Sequence, residues 1–346
     1  MNGTTGDIGA ANIFDDRNVP GNTSMGLLNI SSTTNAVLNA LTLLMLFVTM
    51  ISLGCTMEIS KIKAHILKPK GVAIALLAQF CIMPITAFSL SKILQLNTIK
   101  TVTVLICGCC PGGTLSNIFC LLLKGDMNLS IVMTTCSSIA ALGLMPLLLF
   151  IFSRGHAGLE KAVPYVGIII AIMLSLVPCI IGILINHYKP KYSHTVKKAG
   201  LCILLISTII VSIMSGFAVK DVIWMILMPD VLAVAALMPL IGFLLGYVMS
   251  AICRLSPQCS RTISIETGFQ NIQLCVAILK VAFSPQVIGP MFLFPLVYIM
   301  FQCTEALLLA LCFTCYQMAK PPAADAGHHN NIDVKQEEVE RQQHER

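Results

Sequence analysis

The chain has 346 residues, of which 56% are hydrophobic and only 11% are charged, and its mean hydropathy is +0.85. Soluble domains usually carry about a quarter of charged residues, so this composition excludes an ordinary soluble protein and predicts a polytopic membrane protein. The net charge of +6 comes from basic residues in short segments between apolar runs, which indicates membrane orientation and gives no sign of nucleic acid as a partner.

Nine windows of about 20 apolar residues are long enough to cross a bilayer as helices. In chain order they cover residues 36–57, 71–91, 101–123, 129–152, 164–185, 199–218, 231–252, 262–283 and 288–312. The predicted fold is therefore all-α, with nine transmembrane helices in one domain over residues 36–316.

The segment 1–35 is polar, has no pattern of a cleavable signal peptide, and carries glycosylation sequons at Asn2, Asn22 and Asn29. Sequons are used only in the secretory lumen, so they favour an extracellular N-terminus and a glycoprotein. With that orientation the inside connections hold eleven Lys and Arg residues and the outside connections six, as the positive-inside rule requires. We expect a multi-pass protein of the plasma membrane with a disordered cytoplasmic tail over residues 317–346.

The third window contains Pro111, Gly112 and Gly113 near its centre. Proline removes a backbone hydrogen bond and glycine is a poor helix former, so the helix should unwind there. Unwound backbone is tolerated in a bilayer only where protein or a water-filled cavity satisfies its polar groups. A simple kink is the alternative interpretation.

The eighth window is interrupted by Glu266, Gly268 and the amides of Gln270, Asn271 and Gln273. A carboxylate at the centre of a membrane costs roughly 2.5 to 3.5 kcal/mol on insertion scales and usually faces an ion path or a partner. No membrane-embedded Lys or Arg is near it in sequence, so a bound cation is the simplest partner, and a protonated structural carboxyl is the alternative. A hard monovalent cation prefers oxygen ligands, which favours sodium over proton coupling through Glu266 without excluding the latter.

Windows two to four and seven to nine share one order, in which a helix with a proline is followed by an interrupted helix and a second helix with a proline. Because the second triplet starts an odd number of spans after the first, the two would be inverted repeats with a binding site where the broken helices meet. This arrangement predicts a secondary transporter. A receptor would have no evident use for the buried acid, and an intramembrane hydrolase would need paired catalytic groups at one depth. Glu305 is interpreted as a structural or lumen-facing group.

Several separated motifs resemble the sodium/bile acid cotransporter family, over about residues 35–316. They are SLGCTME at 52–58, GCCPGG at 108–113, SN at 116–117, GDMNLS at 125–130, ETG at 266–268 and QN at 270–271. The runs KIKAH at 61–65 and KPKG at 68–71 favour the hepatic branch of that family over the ileal branch.

The resemblance implies a core of two inverted three-helix repeats, at 71–152 and 231–312, whose broken helices cross, and a panel formed by 36–57, 164–185 and 199–218. It implies two co-transported sodium ions. The first site falls on Ser116, Asn117, Ser130, Thr134 and Glu266, and the second on Gln79, Gln270 and Glu266 with the carbonyls of Thr267 and Phe269. Thr114 and Asn271 are candidates for the substrate path. Phe269 departs from the family pattern, which has a smaller residue there.

The activity that the resemblance implies is the uptake of bile acids such as taurocholate by alternating access, not an enzymatic reaction. About two Na⁺ would accompany each substrate anion, so transport would carry net positive charge inward. The alternative is sodium-dependent uptake of steroid sulfates or other organic anions. Expected partners are this small-molecule substrate and the lipids of the membrane.

Overall fold

The structure is a computed structural model that describes residues 32–57, 70–155, 163–218, 228–283, 291 and 294–319. Several predictions concern residues outside these ranges. They are the three sequons, the run at 61–65, most of the N-terminal segment and the tail beyond residue 319.

The described residues form eleven helices, and β-pairing among them is limited to one isolated bridge. The helices are α1 (Ser32–Thr56), α2 (Lys70–Ile93), α3 (Thr98–Cys109), α4 (Ser116–Leu122), α5 (Met127–Ser153), α6 (Tyr165–Tyr188), α7 (Pro190–Ala218), α8 (Pro229–Ile252), α9 (Pro257–Gly268), α10 (Ile272–Ala282) and α11 (Phe294–Ala319). The all-α class is confirmed for this part of the chain.

Five of these helices, α2, α5, α6, α8 and α11, are long and apolar enough to cross a membrane. The other predicted windows fall on α1, on α7, on the pair α3 and α4, and on the pair α9 and α10. Length and hydropathy together support a polytopic membrane protein.

Helix ends differ from the predicted windows because hydropathy locates the apolar stretch while capping side chains locate the ends. Asn97 accepts a bond from Lys100 N at 3.0 Å and begins α3, and Ser256 accepts from Cys259 N at 3.3 Å and begins α9. Proline suits the first helical position, and α7 accordingly begins at Pro190. At the other end of the chain α11 continues to Ala319, so the assignment of residues 317–319 to a disordered tail was wrong.

A turn of π-helix over Ala78–Ile82 interrupts α2 immediately before Pro84. Proline has no N–H and its ring clashes with the carbonyl four residues earlier, so the wider turn relieves the clash. The same turn carries Gln79, which is buried.

Helices α1, α6 and α7 pack on one another and correspond to the predicted panel. The α1–α6 contact is backbone to backbone: a Cβ on Gly54 would lie 2.0 Å from Cys179 O, and one on Gly182 would lie 2.1 Å from Ile51 O. Only glycine permits this approach. Both α1 and α6 also contact α10, which is how this group meets the helices that carry the site.

Candidate functional site

Two interrupted helices meet at the centre of the described structure. α3 ends at Cys109 and α4 begins at Ser116, while α9 ends at Gly268 and α10 begins at Ile272. Both predicted interruptions are thus confirmed as breaks, and the kink interpretation of the third window was wrong because the intervening residues leave the helical conformation.

The two breaks are bonded to each other through their backbones. Gly113 N donates to Phe269 O at 3.3 Å, and Asn271 N donates to Pro111 O at 2.9 Å, which frames an antiparallel bridge between Gly112 and Gln270. Each unwound segment therefore satisfies part of the other's backbone, as the low-dielectric interior requires.

Glycine is required at this crossing because the two backbones are so close. A Cβ on Gly113 would lie 2.6 Å from Gln270 O, and one on Gly112 would lie 2.9 Å from Glu266 Oε2. The C-terminal ends of α3 and α9 both reach this place, so their last carbonyl groups direct partial negative charge toward it.

The first polar cluster surrounds the carboxylate of Glu266, whose side chain is only 2% exposed. Ser116 Oγ and Ser130 Oγ each lie 2.6 Å from Oε1. Thr134 Oγ1 lies 3.1 Å from Oε1 and 2.9 Å from Oε2. Asn117 is linked to Glu266 through Ser130, because Asn117 Oδ1 accepts from Ser130 Oγ at 2.8 Å. Three chain segments, α4, α5 and α9, thus bring the five residues predicted for one site into a single cluster.

The second polar cluster joins Gln79 of the π-turn to Gln270 of the α9–α10 break. Gln79 Nε2 donates to Cys110 O at 2.9 Å and contacts the Gln270 amide at 3.1 Å. The Gln270 amide orientation that satisfies its neighbours places its nitrogen 2.8 Å from Cys110 O and 3.2 Å from Cys107 O. Thr267 O also lies 3.3 Å from an amide atom of Gln270. Carbonyl and amide oxygens therefore converge here from α2, α3 and α9.

Glu266 was predicted to belong to both clusters, and its hydrogen bonds all lie in the first. Its link to the second runs along the backbone through Thr267, the next residue. Phe269 contributes its carbonyl to the crossing, while its ring points away into an aromatic group, 5.0 Å from the Phe119 ring centroid and 5.7 Å from that of Phe243. The large residue at this position is thus accommodated outside both polar clusters.

Two supporting residues were absent from the sequence predictions. Gln302 of α11 accepts from Gln270 N at 3.1 Å through its Oε1, and Ser137 Oγ accepts from Gly112 N at 3.3 Å. Gln302 carried a usable signal, because a buried amide within an apolar window needs a partner. Ser137 carried none, since a hydroxyl within a helix usually bonds its own backbone.

The two candidate substrate residues lie in different places. Asn271 and Pro111 line a seam against α1 and α6, where Met50, Leu53 and Ser175 face them and the cavity measures only about 10 Å³. Thr114 is outside that seam lining, and its carbonyl accepts from Asn117 Nδ2 at 3.3 Å. The seam is therefore nearly closed in this conformation.

Hydroxyl, carboxylate and amide oxygens, together with helix C-termini, are the groups that bind a hard monovalent cation. A hydroxyl that now donates to Glu266 still carries two lone pairs and needs only to rotate about its C–O bond to present them to an ion. The first cluster has three such hydroxyl groups around one negative charge, with the Asn117 amide oxygen beside them, so its chemistry suits a singly charged cation.

Comparison with known proteins agrees with this chemistry. A sequence model of the Sodium Bile acid symporter family matches residues 43–223. The hepatic sodium/bile acid cotransporter of Homo sapiens is 54% identical over 84% of this chain and 83% of its own length, and that of Rattus norvegicus is 53% identical over 84% and 80%. The human sodium-dependent organic anion transporter is 36% identical over 84% and 77%. The predicted likeness to the hepatic branch is confirmed, and the chain belongs to the sodium bile acid symporter family, whose members are transporters and not enzymes.

Proposed function

We propose that the protein carries bile acids such as taurocholate into the cell together with sodium ions. The observation that carries the proposal is the buried Glu266 carboxylate, held by three hydroxyl groups where two broken helices cross. An intramembrane acid in such a setting is a functional group by default, and the relatives named above are sodium/bile acid cotransporters.

The proposed topology has nine membrane crossings, an extracellular N-terminus and a cytoplasmic C-terminus in the plasma membrane. Helices α2 to α5 and α8 to α11 would form two inverted repeats of the core, each with one broken crossing, and α1, α6 and α7 would form the panel. The packing of α1 on α6 and α7 supports the panel, and the basic residues of the short connections support the orientation.

The proposed sodium sites are the two polar clusters. The first ion would bind between Glu266, Ser116, Ser130 and Thr134, with Asn117 Oδ1 close behind Ser130. The second would bind between Gln79, Gln270 and the carbonyls of Thr267 and Phe269. The substrate would pass along the seam between panel and core, where Asn271 is exposed once the seam opens, and Thr114 would contribute from the core side.

Energetics favours two ions for each substrate anion. A tenfold sodium gradient supplies about 1.4 kcal/mol per ion, and one net charge crossing about 50 mV supplies roughly 1.2 kcal/mol. One sodium with one monovalent anion moves no net charge and concentrates substrate only about tenfold. Two ions supply about 4 kcal/mol, enough for accumulation of several hundredfold.

An organic-anion carrier is the second candidate. The relative named for sodium-dependent organic anion transport is 36% identical, against 53–54% for the two hepatic relatives. Parallel uptake of taurocholate and a steroid sulfate would rank the two substrates, and a clear preference for the sulfate would favour this candidate.

The central test is Glu266→Gln, which keeps the size of the side chain and removes the charge. We expect loss of sodium-driven taurocholate uptake with normal surface expression, measured in sodium buffer and in choline buffer at one pH. The matched control is Glu305→Gln in α11, an acid outside the crossing, which should keep its sodium dependence. Wild-type uptake by Glu266→Gln, or wild-type uptake in choline, would contradict the proposal.

A further inference from the structure

A groove of about 1180 Å³ lies between α8, α9 and α11 and shares no lining residue with the seam. Its apolar wall includes Leu240 and Leu244 of α8 and Leu309 of α11, all exposed. Helices of a membrane protein expose such leucines to lipid tails. The volume of the groove far exceeds that of the closed seam, which is about 10 Å³.

One end of the groove is polar and positively charged. Arg261 is the one charged residue in its lining, and the chain already holds its guanidinium in place. Nε donates to Leu123 O at 2.7 Å, Nη2 donates to Lys124 O at 2.8 Å, and the group lies 4.8 Å from the centre of the Phe313 ring. Within the described ranges Nη1 has no protein acceptor, so the N–H groups of Nη1, at the edge of the guanidinium, are available to a ligand.

Further groups at this end suit the boundary between membrane and water. Lys124 is exposed and its Nζ contacts the side chain of Gln317, a lining residue. Tyr247 and Tyr316 also line the groove and are exposed, and tyrosine is enriched at membrane interfaces. From this end the leucines of α8 run along the helix toward its middle, from Tyr247 through Leu244 to Leu240, a rise of about 10 Å.

We propose that this groove binds one anionic phospholipid of the cytoplasmic leaflet. Its acyl chain lies along α8 and α11 and its phosphate group lies at Arg261 near Lys124. The proposal rests on the topology given under the proposed function, which places this end of the helices at the cytoplasmic surface. Anionic lipids are concentrated in that leaflet and bind basic pockets between transmembrane helices, and a phosphate suits a guanidinium whose orientation is fixed.

The position of the groove suggests what the lipid does. Ser264 and Ile265 line it and directly precede Glu266 on α9, and Arg261 lies on the same helix. A lipid bound here packs against the face of α9 that includes Ser264 and Ile265, while Glu266 of the same helix belongs to the first polar cluster. Occupancy should therefore favour the arrangement of α9 in which Glu266 meets its three hydroxyl partners.

The test compares photoactivatable phosphatidylserine and phosphatidylcholine, each with a diazirine on the acyl chain, in vesicles that contain the full-length protein. We expect phosphatidylserine to label peptides of α8 and α11 at least several-fold more than phosphatidylcholine. Leu244→Trp should reduce this preference by placing a bulky ring where the acyl chain lies on α8, and it leaves the bonds of Arg261 to the backbone intact. Leu311→Trp is the matched control, because Leu311 is an exposed leucine of α11 outside the groove lining, as far from its helix end as Leu244 is.

Arg261→Gln tests the headgroup contact and should reduce the preference for phosphatidylserine even where labelling persists. Equal labelling by the two lipids, or an unchanged preference in Leu244→Trp, would overturn the proposal. Displacement of the phosphatidylserine label by taurocholate in sodium-free buffer would also overturn it, because the groove would then be a site for substrate. Uptake by Glu266→Gln tests the proposed function, and lipid labelling of the same variant tests this proposal. Loss of uptake with labelling preserved shows that the two are measured separately.

Discussion

Gly113→Ala is the sharpest test of the crossing, because it adds one methyl group where the two breaks touch. The new Cβ would lie 2.6 Å from Gln270 O and 3.1 Å from Gln270 C, both backbone atoms that no rotamer change can move. Nonbonded atoms attract best near about 3.5 Å, so the two segments must separate by roughly 0.5 to 1 Å.

That separation breaks or weakens the two bonds that hold the breaks together, Gly113 N to Phe269 O at 3.3 Å and Asn271 N to Pro111 O at 2.9 Å. Each hydrogen bond contributes about 0.5 to 1.5 kcal/mol, and a buried group left without a partner costs about 1 to 3 kcal/mol. A penalty of roughly 2 to 4 kcal/mol corresponds to about 30- to 1000-fold in the population of the crossed arrangement. If the ions bind only that arrangement, this range is the upper limit on the loss of apparent sodium affinity.

The assay is taurocholate uptake as a function of sodium concentration, normalised to surface protein. Two ions that bind the crossed arrangement share this penalty, so we expect the sodium concentration for half-maximal uptake to rise by about the square root of that range, roughly 5- to 30-fold, in Gly113→Ala. Gly143→Ala is the control, since no atom lies within 4 Å of a Cβ at that position of α5 and alanine is the better helix former. Normal sodium affinity in Gly113→Ala would refute the assigned role of the backbone contact.

Two further substitutions separate the polar clusters from the packing around them. Thr134→Val removes a hydroxyl that contacts both oxygens of Glu266. A hydrogen bond to a charged group contributes about 1.5 to 3 kcal/mol, so half-maximal uptake should need at least about tenfold more sodium. The control is Thr135→Val, because Thr135 Oγ1 bonds Ile131 O at 2.7 Å, and it should leave sodium dependence unchanged in the same titration. Phe269→Cys removes the ring from its aromatic group and should destabilise the fold by about 3 kcal/mol, detected as a lower unfolding temperature. Sodium affinity should stay normal because the backbone carbonyl is retained. A large loss of sodium affinity would instead place the ring at the ion site.

The breaks and the acid could be predicted from sequence because their causes are local. Pro111 with its two glycines ends a helix wherever it is placed, and Glu266 within an apolar window signals a site whatever its neighbours are. The contacts between breaks are different. Which carbonyl meets Gly113 N depends on the packing of helices far apart in the chain, and no periodicity of either segment encodes it.

Gln79 shows the limit of local reasoning most clearly. This amide lies within an apolar window and carries the same general signal as Gln302, but only the family resemblance assigned it to an ion site. This amide lies in the π-turn over Ala78–Ile82 and donates to Cys110 O. Pro84 alone did not signal that turn, because Pro146, Pro178 and Pro239 lie inside α5, α6 and α8, which continue as α-helix.

If sodium binds the two polar clusters as proposed, the placement of the crossing gives ion binding a route to the proposed substrate path. Pro111 and Asn271 are bonded to each other at the crossing and also line the seam against α1 and α6, while the next residues, Gly112 and Gln270, contact the two polar clusters. A shift of either break would therefore change the polar clusters and the seam together. Ions that bind more tightly to one arrangement move the population toward it by the ratio of their two affinities, and ions that bind both arrangements equally move nothing. Under the proposed function, coupling would depend on a difference in oxygen geometry around Glu266 between the open and closed seam.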